Sequence, residues 1–403
     1  MRVLDDHSKI ESNERLFFLS WRDLTLRKKQ ICQCLFLSVW SFLFVLPLLL
    51  KGGPNIVTLT FQEGADRFFQ GQNPYALPGQ DTDVFHYPPF FAVLWGVFDI
   101  LGISTKVLFW VFLNCLIFWL GISKWWLFER KQTPWAWFFL ICTAVELDIS
   151  VRYQQSNALV TGLILLALAA IRDRQMGRAG IYFAVATHIK VFPVFLALIV
   201  AFSFPVNWSF LGSFLGALLI CFSVPSFLVG PQQTLWLHWA QFQAITQDFS
   251  RREMLDIAPC MARLGFSLLG KILQKGILFI SAVVMVIYRL RNANDKFRWQ
   301  YWYSIFVTTL LLVTPRAESP TFVWAAPAYL LFSQTNSRRV LWGLAFIGFF
   351  LSLIYSSAFA VQPFEWFRQN WTSKTLATLG LWLLSVNLLF GDQPNQKHEI
   401  TNI

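Results

Sequence analysis

A few charged side chains interrupt long apolar runs, and their types and spacing are where chemistry could occur. Lys190 follows His188 and precedes Pro193, between two apolar stretches. Arg316 and Glu318 share the short segment Pro315-Arg-Ala-Glu-Ser-Pro320. Glu146 and Asp148 close another apolar run, and Arg152-Tyr-Gln-Gln-Ser-Asn157 follows it. Glu63, Asp66, Asp81, Asp83 and His86 gather in one polar stretch. Lys190 and Arg316, with His188 beside the lysine, suit an anionic phosphate, Arg as a bidentate fork and Lys as a point charge. Nearby carboxylates could hold sugar hydroxyls, a divalent cation, or the proton of an attacking hydroxyl. An ionisable group at membrane depth is costly unless it is paired or faces a cavity, so each of these positions calls for an explanation.

The elements that position them are helices in a membrane. Of 403 residues 56 % are hydrophobic and 14 % charged, with 42 Phe and 19 Trp, which no ordinary soluble domain carries. Runs such as 31–50 and 211–230 are continuously apolar, which excludes the alternating strands of a transmembrane barrel. The sequence predicts an all-α, polytopic membrane protein in one domain with about twelve spans of roughly 20 residues each. The expected spans are 31–50, 104–123, 134–151, 156–171, 178–189, 191–204, 209–230, 269–288, 300–314, 321–333, 341–358 and 375–390. Residues 178–204, two short spans separated by His188-Ile-Lys190, could also form one long tilted helix. Residues 88–100 are too short to span, at about 1.5 Å of rise per residue, and read as a helix lying in the outer interface.

Charge sets the orientation. With 1–30 as a cytoplasmic tail, five of the six segments that fall inside carry a net positive charge. The first outer loop, 51–103, is acidic, with Lys51 and Arg67 against Glu63, Asp66, Asp81, Asp83 and Asp99. This puts a multi-pass chain in the cell membrane with both termini in the cytoplasm and the polar constellation facing out. Two outer loops are large enough to hold chemistry, 51–103 and 231–268. In the first, Phe61–Phe69 is amphipathic, with Phe61, Ala65, Phe68 and Phe69 expected in the lipid headgroup layer. In the second, Trp236, Trp239 and Phe242 recur at helical spacing.

Other classes are excluded or weakened. The net charge of +11 is spread over short loops, as orientation in a membrane requires, so no nucleic-acid partner is implied. The six cysteines show neither zinc-ligand nor redox spacing and read as small buried hydrophobes. No Gly-rich phosphate loop or serine-hydrolase elbow is present. Lys106 and Lys374 are expected to snorkel toward the interface, and Glu146 to pair with Arg152 or a neighbouring helix.

Four motifs in order then suggest a family. Gly71-Gln-Asn-Pro-Tyr75, Tyr87-Pro-Pro89, Gln155-Ser-Asn157 and Ala179-Gly180 leading to Ile189-Lys190 and Pro193 resemble the signatures of glycosyltransferase family 87, within the GT-C superfamily. The resemblance covers roughly residues 55–330. It implies a GT-C-like fold with interfacial helices in the first outer loop. It also implies sugar transfer, of mannose or a related sugar, from a polyprenyl-phosphate donor to a lipid-linked or polysaccharide acceptor outside the membrane. Lys190, Arg316 and His188 would then meet the donor phosphate, and Asn73, Tyr75, Tyr87, Gln155, Asn157 and Glu318 the substrates. No cofactor is required by this reading, and a divalent cation remains an option. The family's usual base, an Asp about fourteen residues before the Gly-x-x-Pro-Tyr element, is missing, because Asn55-Ile-Val-Thr-Leu-Thr60 holds no carboxylate. Glu63 and Asp66, the nearest acids, are the expected catalytic pair.

Two other function classes fit a polytopic chain. A transporter or flippase would use broken short spans such as 178–189 and 191–204, but would gather its ionisable groups at the midplane. A non-catalytic membrane subunit would need no converging polar site.

Overall fold

The computed structural model describes residues 5–76, 83–125, 134–201, 206–247, 255–291, 299–314, 317–332, 337–355 and 372–390. Asp81 and Arg316 lie outside these described residues. Among them every regular element is helical, and six helical stretches are long and apolar enough to cross a membrane: Gln30–Gly52, Ile103–Ser123, Pro134–Arg152, Trp208–Val229, Ser267–Ile287 and Arg338–Tyr355. Four shorter apolar stretches accompany them, Pro89–Leu101, Asn157–Arg172, Tyr301–Val313 and Ser373–Leu389. The protein is all-α and membrane-embedded, but the described spans number six instead of about twelve. The reason is that several apolar runs are apolar for burial in protein and are too short to cross lipid alone.

In chain order, α1 (Asp5–Gly52) runs without a break through the boundary expected near residue 30. α2 (Ile56–Phe69) follows a tight corner, and α3 (Pro89–Gly96) with a 3-10 turn (Asp99–Leu101) leads to α4 (Ile103–Ser123). Then come α5 (Pro134–Arg152), α6 (Asn157–Arg172), α7 (Met176–Ile189) and α8 (Pro193–Ala201). α9 (Trp208–Ser223), α10 (Ser226–Val229), α11 (Pro231–Gln247) and α12 (Ile257–Arg263) follow. The chain closes with α13 (Ser267–Arg291), α14 (Trp299–Val313), a 3-10 helix (Ser319–Trp324), α15 (Ala326–Phe332), α16 (Arg338–Leu351), a 3-10 turn (Leu353–Tyr355) and α17 (Thr372–Phe390).

α6 is the axis of the core. Nearly every residue from Asn157 to Ile171 is buried, as a helix apolar all round must be when protein surrounds it. It packs on α4 and α7, and α7 packs on α9. Small residues allow the close approach: a Cβ at Gly162 would land on the Ile117 carbonyl of α4, and one at Gly180 would meet the α9 backbone at Phe210 and Phe214.

The run 178–204 is not one helix. α7 ends at Ile189, Lys190 is extended (φ −142°, ψ 133°), and Pro193 opens α8. A proline disfavours helix in the residue before it and loses nothing at a first helical turn, where its missing N–H would have no partner.

α2 departs from its expected placement. It begins at Ile56, where the Asn55 side chain accepts from the Val57 and Thr58 N–H groups. Phe61, Ala65 and Phe68 are enclosed by protein, while Phe69 of the same expected face is 50 % exposed. The Phe61 ring sits edge-on to Tyr87, Phe91 and Trp95, with centroids at 4.7, 4.9 and 5.2 Å. An aromatic face buries more area against aromatic neighbours than against mobile headgroups, and it gains the edge-to-face geometry as well. In α11 the Trp236, Trp239 and Phe242 stripe stays exposed.

The lysines expected to snorkel do not. Lys106 is buried, pairs with Asp99, and donates to Gln62 Oε1 at 2.7 Å. Lys374 donates to Glu146 at 2.6 Å, and both side chains are 0 % exposed. Arg152 pairs one turn away with Asp148 instead of Glu146. For both lysines a carboxylate within reach satisfies the ammonium without extending it to water.

Candidate active site

Lys190, at the break between α7 and α8, has its ammonium over the rings of Tyr87 (6.0 Å) and Trp324 (5.6 Å). Burial pushes Lys190 down to about 8, and the Glu318 carboxylate nearby acts in the opposite direction. Four stretches distant in sequence therefore meet there: 87, 155–157, 190 and 318–324.

Each is held by local structure. Glu318 is the N-cap of the 3-10 helix Ser319–Trp324 and forms a capping box with Thr321. The Leu255 N–H bonds the Ala317 carbonyl at 2.8 Å, and Tyr303 donates its hydroxyl to the Trp324 carbonyl at 2.6 Å. Gln155 Nε2 donates to Glu318 Oε2 at 3.1 Å, and Asn157 Nδ2 donates to Gln155 Oε1 at 2.5 Å. Burial holds the Tyr87 phenol protonated, well above its ordinary range. Asn157 Oδ1, Ser319 Oγ and Trp324 Nε1 are buried with no hydrogen-bond partner among the described residues. Such groups are costly when left unmade, so each of them calls for a polar partner.

The Gln154-Gln155-Ser156-Asn157 turn is strained. Gln154 has φ +54°, in the left-handed region, and is buried. Its Oε1 accepts from Thr58 Oγ1 (2.5 Å) and the Asn55 N–H (3.0 Å), and its Nε2 donates to the Gly53 carbonyl (2.9 Å). This residue fastens the start of α2 to the turn that carries Gln155 and Asn157.

The other sequence candidates are distributed around this centre. Tyr75 donates its hydroxyl to the Tyr87 carbonyl at 2.9 Å, and Asn73 Oδ1 accepts from the Tyr75 N–H at 3.0 Å. That motif braces the backbone of Tyr87. Glu63 is ion-paired with Arg67, and Asp66 Oδ1 accepts from Gln62 at 2.8 Å. Both acids lie on the face of α2 turned away from Phe61, the residue through which α2 meets Tyr87. His188 turns its Nδ1 to the Ala184 carbonyl at 3.1 Å, so Nδ1 carries the proton and Nε2 is an acceptor. Among the described residues no three His, Cys, Asp or Glu side chains converge to hold a metal ion.

Sequence reasoning missed Gln154, Ser319 and Trp324. For Gln154 the signal was its place beside Gln155. Trp324 gave none, because its role comes from the fold of the 3-10 helix.

A match to known families covers the same ground. The model of glycosyltransferase family 87 matches residues 85–315, more than half of the chain. The chain belongs to that family. Tyr87, Gln155, Asn157, His188 and Lys190 lie within the matched residues, while Glu63, Asp66, Asn73, Tyr75, Arg316 and Glu318 lie outside them. No curated protein matches the chain. Family 87 membership makes this a protein of a sugar-transferring family, and the cluster around Lys190 is where its matched residues converge with Glu318.

Proposed function

We propose that this family 87 member transfers a sugar, mannose or a close relative, from a polyprenyl-phosphate donor to a lipid-linked or glycan acceptor on the outer face of the membrane. The observation that carries this reading is the Lys190 cation held over the rings of Tyr87 and Trp324 and attracted by the Glu318 carboxylate. In the reaction the acceptor oxygen attacks the anomeric carbon as the carbon–oxygen bond to phosphate breaks. The polyprenyl phosphate leaves with the bonding pair, and the hydroxyl proton passes to a carboxylate. Lys190 stabilises charge growing on the phosphate, which is where a preset cation acts most strongly. Arg316 is assigned to the same phosphate from its sequence position. Direct displacement inverts the anomeric centre.

The sugar hydroxyls are assigned to Gln155, Asn157 and Glu318, with Asn73, Tyr75 and Tyr87 shaping the wall. The proton acceptor is a carboxylate: Glu318, which shares the pocket with Lys190, or Glu63 or Asp66 of α2. Glu318→Gln, Glu63→Gln and Asp66→Asn separate them. Loss of the base is expected to cost about a hundred- to ten-thousand-fold in kcat with normal expression. The other two variants should stay within a few-fold of wild type.

The test of the whole reading is a donor panel with purified protein in lipid nanodiscs. Polyprenyl-phosphate mannose should be consumed and yield a product of inverted configuration, while nucleotide sugars are not used. Transfer from a nucleotide sugar alone, or turnover of no donor, would end this reading.

The orientation is also a proposal, and it rests on the charge pattern of the loops. In a cysteine-free background, a cysteine at position 295 should resist an impermeant maleimide in intact cells, and one at position 66 should react. Labelling at 295 without permeabilisation would reverse the topology.

A further inference from the structure

Beside the cluster around Lys190 lies a cavity of about 400 Å³, between the residues preceding α3 and helices α7, α9 and α11. Its apolar wall is α9, through Leu215, Leu219 and Phe222. Leu219 is 65 % exposed, and the Trp208–Val229 span to which it belongs is only 17 % buried. That wall faces lipid, so a ligand reaches the cavity sideways from the bilayer. About 400 Å³ is at the small end for a ligand pocket, room for one sugar-sized headgroup and a few methylenes.

The polar end is built from neutral groups. His188 is 6 % exposed and lines the cavity, with Nδ1 committed to the Ala184 carbonyl and the Nε2 lone pair left as an acceptor. His238 stacks on the Phe222 ring at 3.9 Å, and its buried Nε2 has no hydrogen-bond partner among the described residues. Burial first, and then the neighbouring His188, push His238 down to about 4, so it is uncharged near neutral pH. Gln241 Nε2 donates to the His86 carbonyl at 3.2 Å, and its side chain also accepts from His238, which fixes the imidazole in place. Among the described residues the lining includes no Lys or Arg to meet a phosphate. Acceptors without a cation match a headgroup that donates hydroxyl hydrogens and carries no charge.

We propose that this groove seats the uncharged, hydroxyl-bearing headgroup of a membrane lipid, and that this lipid is the acceptor of the transferred sugar. The binding stands on the groove alone, and the acceptor role rests on the transferase reading above. His188 is two residues before Lys190, and Pro88 on the groove wall adjoins Tyr87, whose ring lies under the Lys190 ammonium. A hydroxyl held at His188 Nε2 is thereby presented next to the donor site. On this assignment His188 serves the acceptor hydroxyl and not the donor phosphate.

The test is photolabelling of the full-length protein in nanodiscs with two probes. One is dodecyl mannoside with a diazirine in its chain, and the other is dodecyl phosphate with the same diazirine. The mannoside should label α9 between Leu215 and Phe222. Leu219→Trp, which fills the groove from its lipid side, should reduce that labelling by about ten-fold or more, as should Leu215→Trp if the first variant expresses poorly. His188→Phe should weaken mannoside labelling and leave the labelling by the phosphate probe unchanged. Equal labelling of α9 by both probes would make the groove a non-selective furrow or the seat of the donor chain, and would overturn the proposal. Mannoside labelling that ignores both tryptophan variants would overturn it as well. Lys190→Ala separates the two readings: it should lower donor use by about a hundred-fold or more and leave mannoside labelling intact. A wild-type protein that seats the mannoside but transfers no sugar would sink the transferase reading and leave the lipid site standing.

Discussion

Lys190→Ala is expected to lower kcat/KM for the polyprenyl-phosphate donor by about a hundred- to a thousand-fold, the usual cost of removing one preset group that stabilises a developing oxyanion. Folding should survive, because Lys190 contributes to its corner chiefly through its backbone N–H, bonded to the Ala186 carbonyl at 2.9 Å. A thermal midpoint equal to wild type together with the activity loss identifies a role in the reaction; equal losses of both would identify a structural one. Lys190→Arg should restore only part of the rate, because a planar fork does not place its charge where an ammonium does. The pH profile gives an independent check. Only the charged amine attracts phosphate, and burial lowers Lys190 from 10.5 to about 8. The free protein therefore keeps the ammonium below about pH 8 and loses it as pH rises through that value. Donor kcat/KM, which reports the free enzyme, should fall there, about two units before an ordinary lysine would titrate. A profile flat to pH 10 would remove Lys190 from the phosphate site.

The second large effect concerns the Glu146–Lys374 pair. Glu146 of α5 and Lys374 of α17 are both fully enclosed and bonded at 2.6 Å. The Lys374 ammonium also lies over the rings of Phe322 (5.5 Å) and Tyr355 (5.0 Å). Phe322 belongs to the 3-10 helix that carries Ser319 and Trp324, so the pair fixes the wall behind the site. Lys374→Met alone leaves a carboxylate buried without its cation and should destabilise the protein by about 3–5 kcal/mol. Glu146→Gln combined with Lys374→Met removes both charges and should recover most of that loss, because two charges in a low-dielectric interior already carry a large desolvation cost. Thermal unfolding in detergent, read by fluorescence-detected size exclusion, measures both variants. If Lys374→Met is as stable as wild type, the pair is not closed in the folded protein.

Composition and periodicity alone determined that the chain is helical and membrane-embedded, because apolar content and run length are local properties of the sequence. Local chemistry suggested a break near Lys190, because Pro193 disfavours a continuous helix, but one long tilted helix stayed open until the structure showed α7 ending at Ile189. The motif residues Tyr87, Gln155, Asn157 and Lys190 stood out by type and spacing. That they meet one another and Glu318 was decided only by tertiary structure, since the contacts join positions separated by up to 163 residues. The number of spans was misread for a related reason. An apolar run looks the same whether it faces lipid or protein, and α6 is enclosed by other helices along nearly all its length. The direction of α2 was equally hidden: an amphipathic pattern shows that one face is apolar, but only the aromatic cluster around Phe61 shows what that face packs against. Pairing obeys the same limit. Glu146 could be seen to need a cation, but the cation lies 228 residues away, and only the packing of α17 against its neighbours brings it within reach.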